Sequence, residues 1–277
     1  MRIKITTFCL LFVTVLFSCK KDPILNTPTS GNSGSTTIPV LSKVLINNQC
    51  SNEYIYNDTN LVSEEKSEFD YTMNHYNAKG QLVSSECYTN DDVLSSNTQI
   101  SATAISSTAL VTAVNGKEAG IITYEYNANA QLIKTTNYLP TSTSSEYSDF
   151  SYDANNRINR QTMYWADTET GYIDYSYDTK GNLILESLYN MPSSGVAELI
   201  ASTSYAFDNS QNPYKLFSRL MVPGITTNQN NIIKETYTIH LTPDQGPDKV
   251  QVTETSYQYN ALGYPTTKNS NVSFVYE

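Results

Sequence analysis

The chain has 277 residues, 39% hydrophobic and 16% charged, and its 27 acids against 17 bases give a formal charge of −10. That length can bury the core of one large or two small domains, whereas the acidic balance excludes the basic footprint that a nucleic-acid binder needs. With 22 Tyr and 28 Asn, the composition also argues against a helical bundle or coiled coil.

The first residues read as a leader. Arg2 and Lys4 give a basic start, Ile5 to Phe17 is mostly apolar, and Ser18 stands directly before Cys19. The apolar run is shorter than the ~20 residues a helix needs to span a bilayer, and its flanks fit a secretory signal. The leader resembles a bacterial lipoprotein signal with its lipobox. That resemblance implies removal of residues 1–18 and acylation of Cys19 as the first mature residue. Residues 20–39, KKDPILNTPTSGNSGSTTIP, are too polar to repay the entropy of ordering and read as a flexible tether. Lys20, Lys21 and Asp22 faintly resemble the export tag of surface lipoproteins in Bacteroidetes. No later stretch reaches 18 apolar residues, so no second membrane helix is predicted. The expected organisation is a signal peptide at 1–18, a lipidated and tethered segment at 19–39, and one domain at 40–277. Without residues 1–18 the chain keeps 15 bases against 27 acids. It also keeps Cys50 and Cys87, which outside the cytoplasm could form one disulfide or stay as two separate thiols.

From residue 54 onward the chain repeats the form Tyr-x-Tyr-[Asn/Asp]-x-x-[Gly/Asn]-x-apolar seven times. The second aromatics are Tyr56, Tyr76, Tyr126, Tyr152, Tyr177, Phe207 and Tyr259, and Asn or Asp follows each one. Aromatics two apart share one face of a strand, and Asn or Asp opens a turn by accepting backbone N–H bonds. Asn60, Gly80, Asn156, Gly181 and Gly263 then stand where positive φ is required. The apolar residue two further on returns to the aromatic side and closes the hairpin. Ala130 and Gln211 depart from this rule, which predicts longer or less regular tips there.

Spacings of 20, 50, 26, 25, 30 and 52 residues between anchors leave room for two further, degenerate hairpins. One would use Leu94 to Ala113; the other would use Ile232 to Leu241 and Val250 to Ser256. The prediction is all-β, with roughly fourteen to eighteen antiparallel strands meandering into a barrel-like or open shell. The exception is Pro213 to Val222. There Leu216, Phe217, Leu220 and Met221 share a helical face, Asn212 caps and Pro223-Gly224 stops, so a two-turn helix is expected to plug one end of the sheet, an irregular loop being the alternative.

The units YNAKGQL (76–82) and YDTKGNL (177–183) are similar to the YD repeat of RHS-type proteins. Lipobox, tether and repeats together resemble the YD-repeat lipoproteins of Bacteroidetes. The resemblance implies an extended β architecture, in relatives a porin-like barrel that is not embedded in the membrane. It implies no activity.

Signals for chemistry are sparse. His75 and His240 are the only histidines and read as surface or rim side chains, and no G-x-S-x-G elbow or phosphate-binding glycine loop occurs. Glu64, Glu65, Glu68 and Asp70 form one acidic run and Asp91-Asp92 another, best read as solvated tips; the repeat acids Asp153, Asp178 and Asp208 are turn openers. No metal site or cofactor is indicated. Surplus tyrosines suit sugars, peptides or protein partners, with Tyr164 and Trp165 the leading candidates for an aromatic platform; the alternative is that Trp165 and the repeat tyrosines are simply core. The expectation is a non-enzymatic binding or scaffold module, anchored by lipid to the outer membrane on its periplasmic or external face. It would have a glycan, peptide or protein ligand and no nucleic-acid partner. The alternatives are an embedded outer-membrane barrel and a carboxylate-dependent glycan hydrolase.

Overall fold

The computed structural model describes residues 38–67, 70–89, 120–139, 145–217 and 222–277. The leader, Cys19, nearly all of the tether, Glu68, Asp91, Asp92 and the proposed hairpin at 94–113 lie outside these residues.

Seventeen strands are described, beginning with β1 (Leu41–Ile46), β2 (Gln49–Tyr56), β3 (Val62–Ser67), β4 (Asp70–Tyr76), β5 (Leu82–Thr89) and β6 (Gly120–Tyr126). Next come β7 (Leu132–Tyr138), β8 (Glu146–Tyr152), β9 (Ile158–Trp165), β10 (Thr168–Tyr177), β11 (Leu183–Asn190) and β12 (Glu198–Phe207). The last are β13 (Ile232–Ile239), β14 (Lys249–Glu254), β15 (Tyr257–Tyr259), β16 (Pro265–Lys268) and β17 (Val272–Tyr276). Each strand from β1 to β14 pairs antiparallel with its sequence neighbour. Strands β15, β16 and β17 continue this order, and β17 returns to pair with β1. Among the described residues, no ladder joins β14 to β15. The sheet is therefore an open shell rather than a closed barrel.

One local mechanism builds the hairpins. In hairpin β10–β11, Asp178 Oδ1 accepts the N–H groups of Lys180 and Asn182, both at 2.8 Å, and Gly181 takes φ +91°. The same pair of Asx bonds recurs at Asn57, Asn77, Asn127, Asp153 and Asn260. Two donors held by one carbonyl or carboxylate oxygen fix the tip through contacts within the turn itself. Ala130 keeps this geometry with φ +61°, so the irregular tip expected there does not occur. The Asx bonds suffice to hold an alanine in the left-handed region.

A bulge follows each tip: Tyr177 faces Leu183 while Ser176 faces Leu185. The skipped residue is pushed outward, which explains why Ile133, Ile184 and Ile233 are exposed. The closing residues instead form the core, with Leu41, Leu82, Leu132 and Leu183 almost completely buried. Neighbouring hairpins are then locked through the second aromatic. Its hydroxyl donates to the carbonyl of the preceding closing residue from Tyr56 to Leu41, Tyr76 to Val62, Tyr126 to Leu82, Tyr152 to Leu132, and Tyr177 to Ile158. Tyr276 does the same to Pro265, which makes β17 and β1 a split eighth hairpin.

The hairpin expected from residues 232–241 and 250–256 forms: β13 and β14 pair antiparallel, and β13 serves also as the return arm of the Phe207 unit. Two other expectations need correction. The added length of the Phe207 unit lies in its tip, where Asp208 N–H bonds to Asn231 rather than four residues on, and Ile232 replaces Pro213 as the closing residue. Strand β5 pairs directly with β6, and the hairpin expected at 94–113 lies outside the described residues. Finally, the plug begins as a 3₁₀ turn at Pro213–Phe217, not as an α-helix; residues 218–221 lie outside the described set. Asn212 Oδ1 does cap it through Tyr214 N–H. Phe217 and Tyr214 enter the core against Tyr54 and Phe274. Four buried asparagines (Asn182, Asn212, Asn228 and Asn231) tie this insertion to the tips; Asn228 Oδ1, for example, accepts Leu183 N–H at 2.7 Å.

Candidate functional site

The register places one residue of every hairpin at the same level of the inner face, opposite the first aromatic position. These pairs are Tyr54–Glu65, Asn74–Ser85, Tyr124–Thr135, Phe150–Gln161, Tyr175–Glu186, Tyr205–Glu235, Tyr257–Lys268 and Phe274–Val44. Seven of these eight girdle residues are polar. Three bond to the first tyrosine of the next hairpin. Tyr175 OH donates to Gln161 Oε1 at 2.9 Å, Tyr205 OH donates to Glu186 Oε1 at 3.2 Å, and Tyr124 OH lies 3.4 Å from Ser85 Oγ. Gln161 Nε2 extends the chain to Ser148 Oγ at 2.9 Å, and Asn52 Nδ2 donates to Glu65 at 3.3 Å.

Partial burial sets the electrostatics of this girdle. Desolvation pushes the Glu65 carboxyl above the usual carboxylate range, against the bonds from Asn52 and Tyr54. Glu186 is raised in the same way, with Glu235 adding repulsion and the Tyr205 bond opposing it. Desolvation pulls the Lys268 ammonium below the usual lysine range although Glu235 favours its charge. Glu235 on β13 and Lys268 on β16 thus influence each other through their charges from either side of the arm that carries β14 and β15. The Glu, Gln, Lys and Tyr side chains at this level can donate and accept hydrogen bonds.

The residues singled out from sequence fall elsewhere. Tyr164 and Trp165 do not form one platform, because adjacent strand residues point to opposite faces. Tyr164 stacks on Tyr147 of the outer face at 4.6 Å, with Lys134 Nζ 3.8 Å from the Tyr147 ring, whereas Trp165 pairs with Glu146 and Thr168 at the end of β9. Tyr172 and Tyr189 make a second outer stack, capped by Arg160. Their ring faces are covered by each other and by cations, which suits cross-strand stabilisation better than stacking on a ligand. Cys50 and Cys87 are free; three strand spacings, about 14 Å, separate β2 from β5, twice the reach of a disulfide. Glu64 and Glu65 split between faces: Glu64 accepts from Tyr71 OH outside, Glu65 joins the girdle, and Asp70 opens β4. His75 bonds to Glu86 at 3.1 Å. His240 lies between Ser202 Oγ, 2.9 Å from Nε2, and Asp248 Oδ2, 2.8 Å from Nδ1. No cluster of three or more potential metal ligands occurs among the described residues.

These features define an all-β shell of tyrosine-locked hairpins with a polar girdle inside. No family model matches the chain, and no curated protein is similar to it in sequence. Among solved structures it is similar to a porin-like protein from Bacteroides uniformis, at 13% identity over 86% of this chain and 96% of that one, with a TM-score of 0.40. It is also similar to a porin-like protein from Bacteroides vulgatus, at 11% identity over 87% and 99%, with a TM-score of 0.37. A third likeness is to the TcdB2-TccC3 assembly, at 12% identity over 82% of this chain but 11% of that one, with a TM-score of 0.31.

Proposed function

We propose that the protein is a YD-repeat lipoprotein of the outer membrane, tethered through Cys19, whose shell acts as a binding module. The observation that carries this reading is the charge on the outer face. Glu64, Lys66, His75 and Glu86 on β3–β5 and Lys134, Arg160 and Asp174 on β7–β10 lie on the side opposite the girdle. A strand surface facing lipid would be apolar along this band, so the shell stands in water. Membrane attachment then falls to the lipid. The ligand surface is the inner face, where Gln161, Glu186, Glu235 and Lys268 follow one another on successive hairpins; glycans and peptides have the hydrogen-bonding chemistry it fits.

Metabolic labelling with an alkyne palmitate tests the anchor: the wild type takes the label and stays with outer membranes, and Cys19→Ala does neither. Label in Cys19→Ala, or heat-shifted mobility typical of an embedded barrel, would overturn the reading. A glycan and peptide screen with the intact chain tests the binding role, with Glu186→Gln and Lys268→Met expected to lose any hit.

A further inference from the structure

The hydrogen-bonded row Ser202–His240–Asp248 lies apart from the girdle and plays no part in the binding reading. Ser202 sits in β12 opposite Ser187 and Thr238, on the outer face. His240 follows the last residue of β13, and its N–H donates to Ile200 O at 3.0 Å, which pins the ring beside Ser202. Asp248 closes the following turn and is held twice: Oδ1 accepts Leu241 N–H at 3.0 Å, while Oδ2 faces His240 Nδ1 at 2.8 Å. These bonds hold the Asp248 carboxyl below the usual carboxylate range, so it is an anion at neutral pH. An anion at Nδ1 places the ring proton there and leaves Nε2 as an acceptor 2.9 Å from Ser202 Oγ. A nucleophile, a base and a group orienting the base thus stand in hydrogen-bonding order.

We infer that Ser202, His240 and Asp248 form an acyl-transfer centre that hydrolyses esters. In the first step Ser202 Oγ bonds to the ester carbonyl carbon while its proton passes to His240 Nε2. The bond to the alcohol oxygen then breaks, and the alcohol leaves with that proton. Water, deprotonated by the same nitrogen, attacks the acyl-serine and releases the acid and the free hydroxyl. Asp248 stabilises the imidazolium in both steps.

Placement defines the substrate. Ser202 lies between two paired strands, so its backbone is committed to ladders and supplies no oxyanion donor. Esters with good leaving groups meet that limit; amides do not. Ile200, two residues before Ser202 on the same face, and Val250, opposite Thr238, are 38% and 61% exposed. They offer an apolar surface for a short aliphatic acyl chain.

The test uses the intact chain in mild detergent with p-nitrophenyl acetate and butyrate, and a fluorophosphonate mapped by mass spectrometry. Ser202→Ala and His240→Gln should each lower hydrolysis about 100-fold and Asp248→Asn about 10-fold, with unchanged melting temperatures. The fluorophosphonate should mark Ser202. Wild-type rates no higher than those of Ser202→Ala, or a label on other residues only, would overturn the inference. Should His240→Gln melt early, Ser202→Ala and the label still decide.

Discussion

The hydroxyl of Tyr177 donates to the carbonyl of Ile158 at 2.6 Å, so the last residue before one hairpin tip is tied to the first residue after the preceding tip. The bond crosses from one repeat to the next rather than closing its own hairpin. It therefore reports on the cohesion of the shell and not on local turn stability. Tyr177→Phe should keep the ring packing and cost about 1 kcal/mol, the net worth of one part-buried hydrogen bond. Urea unfolding checks it. Phe207 is a natural counterpart, since it occupies the same repeat position without a hydroxyl. A loss near zero for Tyr177→Phe would mean that the locks merely accompany packing.

Ala130 holds φ +61° where its sister units use Gly80, Gly181 or Gly263. An L-residue in that region costs about 1–2 kcal/mol, and glycine's greater freedom in the unfolded chain offsets part of this. Ala130→Gly should therefore stabilise by about 0.5–1 kcal/mol, while Gly181→Ala destabilises by a similar amount. Thermal melts of both variants provide the check. Equal signs would show that tip strain does not limit stability.

The hairpins were legible because their signals are local: Tyr177, Asp178 and Gly181 lie within five residues and need no partner to be read. The strand count and the open shell follow from repeating that unit. Girdle residues such as Glu186 and Glu235 carry no local mark. Glu186 becomes an inner residue only because the bulge after Leu183 shifts the alternation by one, and Glu235 does so only after a long insertion has moved the closing role to Ile232. Applying the bulge rule to every closing residue would have found the set. The asparagine-bound tip after Phe207 is not legible in the sequence, because Pro213 stands near the usual closing spacing and Ile232 takes that role only in the fold. His240 was legible as a strand end, but its neighbours Ser202 and Asp248 come from a ladder and a turn that spacing does not reveal.

The girdle makes stability depend on pH with a definite sign. Glu186 is raised in the folded state, so its favourable contribution is full below the ordinary value of 4.5 and is lost as pH rises through the higher folded value. At pH 8 the buried charge is destabilising, and Glu186→Gln, which still accepts from Tyr205, should melt higher than the wild type. At pH 4 the two should coincide. Glu86 on the outer face works the other way. Its bond to His75 lowers it, so its contribution is present above 4.5 and fades as pH falls. Melting curves across this range, with no gain for Glu186→Gln at pH 8, would show that the girdle carboxylate is fully hydrated.

Gly171 marks the place where β10 tolerates no side chain. A Cβ there would stand 2.2 Å from Tyr189 O, a backbone atom of the paired strand that cannot swing aside. The residue is buried at a bulge between Glu169 and the next ladder pair, directly beside the stacked Tyr172 and Tyr189 rings. Gly171→Ala must therefore part β10 from β11 and should cost about 2–3 kcal/mol, in the range of overpacked cores. It should also disturb the tyrosine stack, visible in near-ultraviolet circular dichroism. Gly120 offers the control, because a Cβ there meets the Leu139 side chain at 3.5 Å and Tyr138 O at 3.9 Å, both ordinary van der Waals contacts. Gly120→Ala should stay within about 0.5 kcal/mol of the wild type. Equal losses at the two sites would mean that strand glycines matter here through chain entropy rather than through the contact with Tyr189.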